Sequence, residues 1–127
     1  MTQKNNIIEL SLPFKADFVS VARLSVSGIA SRLGFNIDEI EDIKVSISEV
    51  CNKFIFSGSK ITEHFTIMFK IINQGIVIDF KCRDVSLRNI FERDDGLGLS
   101  IIEALMDDVK ISNENDKIIS ISKKLER

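Results

Sequence analysis

The sequence holds one histidine and two cysteines in 127 residues. With Cys51 and Cys82 far apart and no CxxC spacing, no zinc set can be assembled, and both cysteines read as buried thiols. Blocks of lysine and arginine are missing and the net charge is −2, which argues against a nucleic-acid or membrane-surface partner. No apolar run approaches the roughly 20 residues that span a bilayer. The first residues lack an apolar stretch followed by a small-residue cleavage site, so the sequence predicts a cytoplasmic location. Proline occurs once, at Pro13. What remains is ordinary apolar and charged content, in a chain long enough for one domain with a real core and too short for a second.

Glycine is also scarce, six in all, yet Gly96 and Gly98 stand one residue apart in Arg93-Asp94-Asp95-Gly96-Leu97-Gly98-Leu99-Ser100. The apolar positions that follow, Leu99, Ile102, Leu105 and Met106, are spaced like a helix face. A loop therefore feeds a helix there. Glycines at such a junction permit φ > 0 and close approach of a ligand, while the unpaired N–H groups of the first turn favour an anion. The arrangement suits phosphate, and the same pattern also serves as plain turn chemistry.

Elsewhere the apolar period sets the elements. Ile7 to Leu12 alternates as a strand that Pro13 stops. From Lys15 to Leu33, Phe18, Val21, Ala22, Ser25, Ile29 and Leu33 recur at three and four residues. That predicts a helix with Gly34 as C-cap and an outer face bearing Lys15, Asp17, Arg23 and Arg32. A second helix starts at Asn36 or Asp38, where Asp38, Glu39, Glu41 and Asp42 complement its dipole, and runs to about Phe56. Its apolar residues, from Ile40 to Phe54, cover more than one stripe. Glu49 falls inside that set, where a carboxylate either snorkels to the surface or does chemistry. His64 to Ile71 and Ile76 to Cys82 flank Asn73-Gln74-Gly75 as a hairpin, with His64 at the surface. Asp84 to Asp95 forms a charged, irregular connection. Val109 to Ser112 and Ile118 to Lys123 then close the chain around a polar turn at Asn113 to Asp116. The order β-α-α-β-β-loop-α-β-β predicts an α+β two-layer sandwich, with three helices on one face of a mixed, mostly antiparallel sheet.

This order, with an acidic residue in the second helix and Gly96-Leu97-Gly98-Leu99 opening the third, resembles the Bergerat-fold (histidine-kinase-like, GHKL) ATPases. Within them it is most similar to the small anti-sigma-factor serine kinases of the RsbW and SpoIIAB type. Three strings carry the likeness: Asp42 to Asn52, where a serine-glutamate pair precedes an asparagine; Gly96 to Val109, with its Leu105-Met106-Asp107; and Ser120 to Leu125. The resemblance implies one histidine-kinase-like ATPase domain over residues 1–127. Glu49 would act on the attacking hydroxyl, and ATP would be held at Asn52, Lys53, Asp84, Gly96, Leu97, Gly98, Leu99 and Ser100.

The chain departs from the family pattern in three places. The family's magnesium-binding asparagine lies four residues after the glutamate, a position held here by Lys53, while Asn52 sits about 100° round the helix. In the Asp-x-Gly-x-Gly string only Asp84 is kept, followed by Val85 and Ser86, so side chains occupy the space that admits adenine. The glycine-threonine before the last strand is replaced by Asp116-Lys117. The resemblance thus implies a regulatory anti-sigma-factor-like protein of a bacterial partner-switching system. It would hold a sigma factor or an anti-sigma antagonist, as a homodimer by family precedent. The alternative is an active ATP- and magnesium-dependent serine protein kinase that phosphorylates the antagonist. With a lysine at the metal position no metal ligand is assigned, ATP binding is expected to be weak or lost, and Glu49 and Lys53, at i and i+4, are expected to pair and fill the site.

Overall fold

The computed structural model describes residues 6–58, 62–83, 85, 87, 89–92, 94–113 and 117–125. Along the chain run β1 (Ile7–Pro13), α1 (Val19–Leu33), α2 (Ile37–Ser57), β2 (His64–Ile72), β3 (Gly75–Cys82), α3 (Leu97–Leu105), β4 (Asp108–Asn113) and β5 (Lys117–Lys124). The predicted order holds. The strands lie in the order β1-β2-β3-β5-β4. All four pairings are antiparallel, in keeping with the mostly antiparallel sheet that the sequence predicts and with no parallel pair among the described strands. β2 and β3 are joined by a two-residue turn, which forces antiparallel pairing, and α3 carries the chain to the far edge so that β5 returns between β4 and β3.

Period-2 alternation turns Phe65, Ile67, Phe69, Ile76, Ile78, Phe80, Ile119 and Ile121 to one face, where they are buried in the same core as the helices' apolar residues. α2 supplies Ile43, Ile47, Val50, Cys51 and Phe54 to that core. Its start is fixed by a capping box: the Asn36 side chain accepts the Glu39 N–H and Glu39 accepts the Asn36 N–H, both at 2.8 Å. Gly34 ends α1 in the left-handed region, with φ 97°.

α1 departs from its predicted stripe. A 3-10 turn at Ala16–Phe18 precedes it, and its buried residues are Ala22, Val26, Ile29 and Ala30. Val21 and Phe18 remain partly outside, and Leu24 is 73% exposed. Ala22 and Ile29 belong to the predicted stripe; Val26 and Ala30 replace Val21 and Ser25 in it, which turns the buried face slightly round the helix.

Gly75 is the first residue of β3, not part of the turn, which consists of Asn73 and Gln74. A Cβ on Gly75 would stand 2.6 Å from the Lys123 carbonyl oxygen. Register places Glu9, Met68, Asp79, Ser120 and Lys110 in one row on the open face of the sheet. Asp79 is buried there, paired with Lys70 Nζ at 2.6 Å. The connection from β3 to α3, charged by sequence, is anchored by Val85, Leu87, Ile90 and Phe91, all buried. Asp84, Ser86 and the turn residues 114–116 lie outside the described residues. Among the described residues no helix is long and apolar enough to cross a membrane.

Candidate functional site

The last turns of α2 and the start of α3 meet beside a cavity of about 290 Å³, lined by Asn52, Lys53, Phe56, Ser57, Ile90 and Asp94. Two of the predicted nucleotide residues, Asn52 and Lys53, therefore share one cavity, although they point about 100° apart on the helix. Asn52 is exposed; Lys53 is largely covered, with 14% of its side chain accessible.

α3 begins at Gly96, which takes a left-handed conformation with φ 79° and offers the first turn no side-chain cap. Asp94 supplies what Gly96 cannot: its Oδ2 accepts the Gly98 N–H at 2.9 Å. The same oxygen accepts from Lys53 Nζ at 2.5 Å. Gly98 is buried against this junction, and a Cβ there would stand 3.0 Å from Asp94 Oδ2 and 3.0 Å from Lys53 Cε. A side chain at this position would therefore have to push the Asp94 carboxylate and the end of Lys53 aside by a few tenths of an ångström. Of the remaining predicted residues, Leu97 is 61% exposed, Leu99 packs partly against the core, and Ser100 is exposed, its N–H donating to Gly96.

Lys53 does not pair with Glu49. An i,i+4 pair on a helix is worth only about 0.2–0.5 kcal/mol. Asp94 offers a carboxylate already fixed by the helix N-terminus, and the lysine takes it. Glu49 is half-buried one turn before Lys53, is not among the residues lining the cavity, and makes no ion pair or side-chain hydrogen bond among the described residues. Asp84 lies outside them.

Asp94 is the residue that sequence reasoning passed over. It sits within the glycine-rich stretch, and an aspartate just before a helix start is a capping signal that was available. Its pairing with a lysine 41 positions earlier had no local signal. The hydrogen bond from Lys53, helped by that from Gly98, holds the Asp94 carboxyl below the usual carboxylate range against the opposing effect of burial. Cys51 is inert, since burial pushes its thiol up to about 12.

Chemically, the arrangement is an ammonium and a helix-terminal N–H focused on one anionic oxygen. It lacks a metal set: among the described residues no three His, Cys, Asp or Glu side chains gather to hold an ion.

The family described as "Histidine kinase-like ATPase domain" matches residues 12–123. A serine-protein kinase RsbW of Bacillus cereus is 31% identical, the match covering 100% of this chain and 90% of that protein. The RsbW serine-protein kinase of Oceanobacillus iheyensis is 37% identical over 91% of this chain and 85% of its own. Among solved structures, that of the RsbU and RsbW domains of Rv1364c from Mycobacterium tuberculosis superposes with a TM-score of 0.76 at 15% identity, covering 97% of this chain and 33% of that one. At that identity the likeness is one of fold.

Proposed function

We propose, since the chain belongs to the RsbW-type anti-sigma-factor kinase family of histidine kinase-like ATPases, that it is a partner-holding regulator whose ATP site has been rebuilt around an ion pair. The observation that carries this reading is Lys53 Nζ set on Asp94 Oδ2 at the mouth of α3. An ammonium stands where the family pattern needs a magnesium ligand, and a cation cannot ligate a cation. Magnesium does not fit the residues present. Phosphoryl transfer depends on positioning and on neutralising phosphate charge, so this exchange weighs against kinase activity. Val85 and Leu87, buried in the core beyond β3, support the expectation that adenine's space is filled.

On this reading the protein is a single cytoplasmic domain that captures a sigma factor or an anti-sigma antagonist, as a homodimer, without requiring ATP. Lys15 and Asp17 in the turn before α1, and Arg32 in its last turn, are exposed, as is Leu24 on α1, so this stretch offers charged and apolar groups of the kind that suit protein contact. The kinase reading keeps one observation in its favour: Glu49 is half-buried and unengaged among the described residues, as a base awaiting substrate would be.

Calorimetric titration with ATP, with and without magnesium, separates the two. The expected result is no magnesium-dependent micromolar binding and no phosphate transfer to a partner-switching antagonist. Alongside it, the immobilised protein should retain a sigma factor or an antagonist, and reversing Arg23 and Arg32 should weaken capture while leaving stability almost unchanged, with a cost of up to about 1 kcal/mol for losing the basic residue in the last turn of α1. Magnesium-dependent micromolar ATP binding returns the kinase reading to first place. Retention of neither partner class ends the regulatory reading.

A further inference from the structure

The Lys53 ammonium and the Gly98 N–H converge on one oxygen, and that oxygen belongs to the chain itself. A largely covered cation, an amide at the positive end of a nine-residue helix and an adjoining cavity of about 290 Å³ are the donors and the room that a phosphate oxygen would use. The carboxylate that fills this position comes from only four residues before Gly98, so it competes with any outside anion as an intramolecular occupant. It is held through Oδ2 alone. Asp94 Oδ1 is buried and has no hydrogen-bond partner among the described residues, so the carboxylate has two bonds to give up on leaving and none on its other oxygen.

We infer that the Lys53–Asp94 pair is an autoinhibitory contact: Asp94 stands in for a phosphate, and its withdrawal opens Lys53 and the Gly98 N–H to a phosphate-bearing ligand that needs no divalent ion. This rests on the reading of the site as rebuilt around an ion pair. A monoanionic carboxylate tethered nearby sets a threshold that a more highly charged anion can cross. If the contact is closed for nine-tenths of the time or more, the apparent affinity of the seat is lowered about tenfold or more.

The test uses the full chain and inorganic tripolyphosphate in EDTA, which probes the anion seat without the base. Asp94→Asn keeps an oxygen for the Gly98 N–H and removes the charge that holds Lys53. Calorimetry is expected to show tripolyphosphate binding at least about tenfold tighter than in the unaltered protein, with the Gly98 amide resonance moving on titration. Adding Lys53→Met to Asp94→Asn is expected to abolish the gain. Asp94→Ser, an uncharged cap, is read in the same way if the asparagine variant proves too unstable to titrate. The inference is overturned if neither folded variant binds more tightly than the parent, or if the gain survives Lys53→Met. When that failure occurs while the unaltered chain also ignores ATP with magnesium, this inference falls alone. Magnesium-dependent ATP binding by the unaltered chain overturns both readings.

Discussion

A carboxylate that accepts from an ammonium and a helix-terminal N–H is ionised more readily in the folded protein than in the unfolded chain, and Asp94 is so placed. Between the two pKa values the unfolded state binds more protons, so the contact's contribution to stability is complete above the ordinary carboxylate range and fades as pH falls through the lowered folded value. Melting scans of the parent and Asp94→Asn should therefore differ by a constant amount from neutrality to about pH 5 and converge in stronger acid. A difference that persists below the carboxylate range would show that shape, and not charge, is what the substitution changes. At this scale the sequence was legible in part. It marked Lys53 as out of place and needing an anion, because the family pattern has an asparagine there. It pointed to the wrong anion, because local spacing offers Glu49 and only folding brings up Asp94.

The elements repeat that division between local and long-range cause. The capping box of α2 is written in Asn36 and Glu39, three residues apart, and it was half seen as a cap plus an acidic first turn. The stripe of α1 is legible in Ala22 and Ile29 and missed at Val26 and Ala30, because apolar residues lie on more than one side of this helix and spacing alone does not say which side packs. Two glycines make the point measurable. Gly28 lies in mid-helix, exposed, with nothing within 4 Å of an added Cβ, so Gly28→Ala should raise stability by about 0.5–1 kcal/mol through helix propensity. Gly75→Ala should lower it, because the new methyl would press on the backbone of β5. Urea unfolding of the two variants should give shifts of opposite sign. Equal shifts would mean that the β3–β5 approach relaxes freely.

Across the whole molecule the two-layer class and the element order were legible, because helical and strand periods alternate cleanly and each short turn dictates an antiparallel neighbour. The sheet order was not, since the neighbours of a strand are chosen by pairing energy between distant segments. That order has a kinetic side. β2 and β3 join through two residues, while β1 reaches β2 only after both α1 and α2 have been traversed. Loop closure grows costlier with the length enclosed, so the hairpin can form early and β1 should dock late. β1 is also an edge strand with Ile7 and Ile8 more than 40% exposed, so little burial holds it once docked. In native-state hydrogen exchange the amides of β1 should accordingly open by a low-energy local route while those of β3 wait for global unfolding. Equal protection in the two strands would mean that the sheet closes as one cooperative unit. A strand made before all those it will lie beside would then be the last to join the sheet, leaving the β2 edge uncovered until the rest of the fold is in place.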